Sequence, residues 1–146
     1  MEQVILTTGG ALGLTRLNHL GIAVPHIETA IPVYERLLGY RVVSGPFDDP
    51  IQKVSVCFLG SNEQRDMTLE LVEPHGDQSP VSKFLSKGLG AYHICFEVED
   101  VNYALAQARL HGCVVVSDPV PAVAFGGRPI AWFYTPTRQL LEILGP

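Results

Sequence analysis

Apolar residues recur at every second position along Leu17–Val24, which puts Leu20, Ile22 and Val24 on one strand face and His19, Gly21 and Ala23 on the other. The pattern returns at Ala91–Val98. There Tyr92, Ile94, Phe96 and Val98 share the face expected to lie against helices, and His93, Cys95 and Glu97 take the opposite one. After the first strand, Ile27, Ala30, Ile31, Tyr34 and Leu38 are spaced for a helix over residues 26–38, with Gly39 as its stop. Pro32 disturbs this reading. It predicts either a late start with Thr29 as N-cap or a distorted first turn. Strands are expected at 40–43, 53–59 and 67–72, the first two joined by a Gly-Pro-Asp-rich loop. A short connector helix starts at Ser79-Pro80 and stops at Gly88. The second copy then follows: strand 91–98, a helix capped by Asp100 and closed by Gly112, and strands at 113–116, about 129–134 and 139–144.

The order strand, helix, three strands therefore occurs twice. His93 follows His19 by 74 positions, Gly112 follows Gly39 by 73, and Glu142 follows Glu70 by 72. Either half alone is too small to close a good core. The expected fold is α+β: two paired βαβββ modules forming a curved mixed sheet around a concave cleft, with the helices on the convex side. The expected organisation is a flexible leader over 1–15, a first module over 16–75, a connector over 76–90 and a second module over 91–146.

The 146 residues are 47% hydrophobic and 17% charged, enough apolar content for a packed core and too little charge for a disordered chain. A net charge of −5, with only ten scattered Lys and Arg, argues against nucleic acid as partner. No apolar run is long enough to cross a bilayer, and the first residues lack the basic start of a signal peptide. The three cysteines, Cys57, Cys95 and Cys113, sit in apolar strand-like runs and read as reduced core residues of a cytoplasmic protein.

Four polar residues stand out in strands whose neighbours are apolar: His19, Glu70, His93 and Glu142. A single histidine in a strand is ordinarily a hydrogen-bonded core residue, and a single glutamate belongs to a solvated face. An unpartnered carboxylate in an apolar strand is costly and tends to take up a proton. Four such residues at equivalent repeat positions are accounted for together by a divalent cation held by two imidazoles and two carboxylates. Gln52, Glu97 and Arg128 are further candidates to meet a substrate, Arg128 through an anionic group. His26, His75 and His111 read as solvated, and Glu73 as a strand-end residue.

The phrases Leu17-Asn18-His19-Leu20-Gly21-Ile22-Ala23-Val24-Pro25, Leu69-Glu70-Leu71-Val72-Glu73-Pro74, Ser79-Pro80-Val81-Ser82-Lys83-Phe84-Leu85, Tyr92–Val98 and Leu141-Glu142-Ile143-Leu144 resemble the vicinal oxygen chelate superfamily. That superfamily includes glyoxalase I, extradiol dioxygenases, bleomycin-resistance proteins and methylmalonyl-CoA epimerase, and the likeness is strongest to the epimerase branch. The resemblance implies a metal (Zn, Ni, Co, Mn or Fe) held by His19, Glu70, His93 and Glu142, and a small-molecule substrate that passes through an enolate. It also implies that Glu142 doubles as base, and that the protein is a lyase or isomerase and a homodimer. Two other activities within this superfamily are an Fe(II) extradiol dioxygenase and a ligand-sequestering module without chemistry. One position departs from the branch. Ile51 stands where its epimerases carry a second acid–base glutamate, so that Asp48, Asp49 or Glu97 would have to replace it if the cleft receives one of them.

Overall fold

The structure, a computed structural model, describes residues 9–61, 67–88 and 90–146. The first half comprises β1 (Leu14–Ala23), α1 (Ile27–Leu38), β2 (Arg41–Asp49), β3 (Val54–Gly60) and β4 (Thr68–Pro74). A short α2 (Val81–Ser86) connects it to β5 (Ala91–Val98), α3 (Val101–Leu110), β6 (Val114–Val115), β7 (Val120–Pro121), β8 (Pro129–Tyr134) and β9 (Leu140–Leu144). Among the described residues the strands form one mixed sheet in the order β2-β3-β4-β1-β5-β9-β8-β6, with β7 also paired to β8. β1 and β5 run antiparallel at the centre, and each is flanked by a parallel partner, β4 and β9 respectively. The two first strands of the repeat thus lie side by side, related by an approximate two-fold axis between them.

Alternation sorts the side chains as expected over most of the sheet. Cys57, Leu59 and Leu71 pack with Val24 and Ile27 under α1, and Ile143, Phe133 and Ala131 pack with Ala104, Leu105 and Ala108 of α3. Val54, Val56, Phe58 and Val72 form the opposite, concave face. Asp100 caps α3 by accepting from Tyr103 N. The N-terminus of α1 is capped from another element: Glu73, on β4, accepts from Ile27 N at 3.0 Å. Glu73 is therefore more than a strand-end residue.

Several expectations need correction. α1 starts at Ile27, not late, and holds Pro32 in its second turn. The proline faces solvent there, so the carbonyl it leaves without an N–H partner can turn to water. The expected loop after residue 43 is instead a continuous β2 to Asp49, because the register shift between Ser44 and Phe47 absorbs Gly45-Pro46 and an edge strand tolerates a residue without N–H. The second half carries a fifth strand, the stub β7, followed by a 3-10 turn at Val123–Phe125. The expected leader falls largely on residues 1–8, outside the described residues, while Leu14 and Thr15 already belong to β1.

Candidate metal centre

β1 pairs with β5 through three register shifts, one near its start at Leu14/Arg16 and two complementary ones beside the repeat histidines. Leu17 and His19 face Phe96 and Cys95, so Asn18 is an extra residue on β1. Gly21 and Ile22 face His93 and Ala91, so Tyr92 is an extra residue on β5. Both of these complementary bulges fall on the residue before a repeat histidine. A bulge re-aims side chains, and here both extra residues turn toward the histidine that follows them. Asn18 Oδ1 lies 2.7 Å from His19 Nδ1, and the Tyr92 ring packs 4.4 Å from that of His93. Tyr92 consequently lines the cleft and packs 5.0 Å from Phe84 of the connector helix α2, instead of joining the clusters under α1 or α3.

The four repeat-related residues converge. His19 Nε2 and His93 Nε2 are 3.0 Å apart. Glu70 Oε1 lies 3.5 Å from both of them, and Glu142 Oε1 lies 3.3 Å from His19 Nε2 and 3.6 Å from His93 Nε2. All four are buried, the histidines almost completely. The donors of His19, Glu70 and His93 lie within 4.8 Å of one another, a spacing that fits a shared cation, and Glu142 clusters with His19 and Cys95. With metal–ligand bonds of about 2.1 Å, neighbouring donors stand about 3.0 Å apart in octahedral and about 3.4 Å apart in tetrahedral geometry. Glu142 Oε1 has no hydrogen-bond partner among the described residues, although it is buried. Such an orphaned buried acceptor is rare without a ligand to satisfy it.

The charges of the group match that reading. Burial pulls the His19 imidazolium down, but Glu70 and Glu142 outweigh it and raise the group to about 10. Burial, reinforced by the charge of His19, holds His93 well below its usual value and hence neutral. Burial, with Glu70 adding to it, raises the Glu142 carboxyl against the opposing pull of His19. Without a cation, one protonated imidazole must serve two buried carboxylates. Cys95 sits beside them, its sulfur clustered with donors of His19 and Glu142. Burial and then Glu142 push its thiol far up, so it stays protonated.

The histidine rings are wedged. His19 lies 5.4 Å from Phe58 and stacks at 6.0 Å on Phe125, and His93 lies 4.7 Å from Trp132. Gly21 lets the His93 ring rest directly on β1. Above the cluster opens a largely apolar cavity of about 330 Å³, walled by Val54, Val56, Val72, Phe125, Ile130 and Trp132, with Glu70 and Glu142 at its polar end. Gln52 and Ile51 reach this cavity. Asp49 reaches it as well, but Asp49 Oδ1 accepts from Ile51 N and Gln52 N, both at 3.0 Å. Asp48 is exposed and accepts from Ser55. Glu97 and Arg128 do not line the cavity. They pair with each other at 2.9 Å, and Arg16 joins at 2.8 Å.

Sequence reasoning missed Asn18, Gly21 and Phe125. Asn18 and Tyr92 occupy equivalent repeat positions, but no pattern of alternation announces a bulge. The Phe125 turn was obscured by the surrounding prolines and glycines.

A curved sheet of two paired βαβββ-like halves with its polar cluster at their junction defines a protein class. The chain belongs to the Glyoxalase/Bleomycin resistance protein/Dioxygenase superfamily, whose model matches residues 18–132. Within it, the chain is similar to the ethylmalonyl-CoA/methylmalonyl-CoA epimerase of Cereibacter sphaeroides (36% identity over 121 residues, covering 82% of this chain and 87% of that one). It is also similar to the mitochondrial methylmalonyl-CoA epimerase of Dictyostelium discoideum (32% over 127 residues, covering 86% and 74%). A methylmalonyl-CoA epimerase solved in complex with methylmalonyl-CoA and NH4+ superposes with a TM-score of 0.77 at 30% identity, covering 91% of this chain and 95% of that one. The chain is an enzyme of the epimerase-like, isomerase kind. Among the described residues no helix is long and apolar enough to cross a membrane.

Proposed function

We propose that the chain is a metal-dependent isomerase that moves the proton on the carbon beside a thioester carbonyl, in a CoA ester of the methylmalonyl-CoA type. His19, Glu70, His93 and Glu142 are its metal ligands, and Glu142 is its principal base. The observation that carries this reading is the convergence of four buried donors, one of them the unsatisfied Glu142 Oε1, at the end of an apolar cavity. The substrate class is supported by the epimerase relatives and by the solved epimerase that holds methylmalonyl-CoA. A divalent cation held there would polarise a substrate oxygen and stabilise the negative charge that develops when the adjacent C–H is broken.

The chain's own residues do the rest. The apolar walls keep bulk water from the reacting carbon. Glu142, at the polar end of the cavity, is placed to accept the carbon-bound proton. His19, with its Nε2 3.3 Å from Glu142 Oε1, holds that carboxyl in place. Gln52, at the cavity wall, is placed to hydrogen-bond the substrate. Glu97 and Arg128, paired outside the cavity, are left to support the site rather than to contact substrate. Ile51 carries no proton, and the carboxylate of Asp49 is occupied by the turn it caps, so Glu142 works as the main acid–base group.

Exposed apolar side chains on α1 and β2 (Leu37, Val43) and near β6 (Leu110, Val114) support a homodimer, and three unpaired cysteines support a cytoplasmic setting. The decisive test is exchange of the substrate α-proton in D₂O with Co²⁺ or Zn²⁺ added. Wild type is expected to exchange methylmalonyl-CoA and Glu142→Gln to lose exchange by about 10²-fold or more. Undiminished exchange in Glu142→Gln removes Glu142 as base.

A further inference from the structure

Behind His19, on the side away from the cavity, four residues form a continuous chain. Asn18 Nδ2 donates to Glu97 Oε2 at 3.2 Å. Glu97 Oε1 accepts from Arg128 Nη2 at 2.9 Å, and Glu97 Oε2 lies 2.8 Å from Arg16 Nε. Arg128 is itself anchored, its Nε donating to Gly145 O at 2.8 Å. The chain ties β1 and β5 to the residues bracketing β8 and β9.

The chemistry of this chain permits one arrangement. A carboxylate only accepts, so the Asn18 amide must turn its NH₂ to Glu97 and its oxygen to His19. That oxygen accepts in turn, so His19 must carry its hydrogen on Nδ1, 2.7 Å away. When a cation displaces the second proton of the ring, the Nε2 lone pair is the one left to face Glu70, His93 and Glu142. The equivalent residue of the second half, Tyr92, offers His93 no such tether: it packs ring against ring, and His93 Nδ1 is buried with no hydrogen-bond partner among the described residues. Burial alone would raise the Glu97 carboxyl, but Arg128, Asn18 and Arg16 together hold it below the ordinary value, so it stays a pure acceptor.

We propose that Asn18 and Glu97, clamped by Arg128 and Arg16, are positioning residues that set the tautomer and aim of His19 and so control the affinity of the metal centre through the histidine of the first half alone. This rests on the metal-centre reading above, and the test separates the two. Zn²⁺ and Co²⁺ uptake by wild type is measured first. A wild type that takes up neither ion overturns both. Asn18→Leu is expected to keep the Tm of the metal-free protein but to bind about 10- to 100-fold more weakly and to shift the visible spectrum of bound Co²⁺. Glu97→Leu, which frees the amide to rotate, is expected to lose less in the same direction. In Zn²⁺-loaded wild type with ¹⁵N-labelled histidine, the His19 ring is expected to show a slowly exchanging proton on Nδ1, absent in Asn18→Leu. Wild-type affinity in both variants, or a His19 ring without a proton on Nδ1, overturns the inference. The wild-type ring measurement decides the case even if Asn18→Leu fails to fold.

Discussion

Gly21→Ala tests the geometry of the centre without touching a ligand. A Cβ at position 21 would lie 1.9 Å from His93 Cε1, 2.1 Å from Nδ1 and 2.5 Å from Nε2. Ordinary carbon contacts need about 3.5 Å, so ring and backbone must part by about 1.6 Å. Neither yields easily. The ring sits between Tyr92 and Trp132, at 4.4 and 4.7 Å, and β1 is hydrogen-bonded on both edges, to β4 and β5. Overpacking of this kind costs about 1–3 kcal/mol. At about 2–4 °C per kcal/mol for a chain of this size, the Tm of the metal-free protein should fall by several degrees. The effect on metal should be larger, because ligand positions tolerate only about 0.2 Å and His93 would be displaced far beyond that. A loss of at least about 100-fold in Zn²⁺ affinity is expected, the upper end of what removing an outer support costs. Thermal unfolding with and without graded Zn²⁺ measures both effects together. If Gly21→Ala unfolds at the wild-type temperature and gains the wild-type increment from Zn²⁺, the close approach of His93 to β1 is wrong.

Four further outcomes are expected. His19 stays charged to about pH 10 in the metal-free protein and must lose its proton to bind a cation. The apparent metal affinity should therefore rise about tenfold per pH unit between pH 7 and 9, measured by competition with a chelator of known pH dependence. Without metal the sign for stability is opposite. The folded value lies above the ordinary 6.5, so the stabilisation is complete below pH 6.5 and is lost as pH rises through about 10, which denaturant midpoints across that range should show. Because Ile51 supplies no proton on the second face, α-proton exchange should outpace inversion of configuration, as chiral analysis of the thioester in D₂O would reveal; equal rates would mean that a second proton donor operates. Asp49→Ala removes the acceptor of two backbone N–H groups in the turn carrying Ile51 and Gln52. It should cost about 1–3 kcal/mol in urea unfolding and raise KM more than it lowers kcat.

Much of the site was legible because strand period and repeat spacing are properties of the chain itself. Glu70 shares a face with Val72, and Glu142 with Leu144, and both carboxylates reach the concave side as that parity requires. The parity argument failed for Tyr92, because the extra residue on β5 reverses the side on which it emerges. It could not find Asn18 for the same reason. Glu97 shares the face of His93, yet two arginines brought from β1 and from the turn before β8 engage it before any substrate could.

The sequence by itself determined that there are two equivalent halves, which strand faces are apolar, and that each half offers one histidine and one carboxylate. Spacing along a chain says which way a side chain points but not which strand lies beside it. Only the tertiary structure decided that β1 and β5 pair at the centre with β4 and β9 outside them, which brings four donors separated by up to 123 positions to within 3.6 Å of the shared Nε2 atoms. It also decided, through the two bulges, that His19 is held by a hydrogen bond and His93 by packed rings.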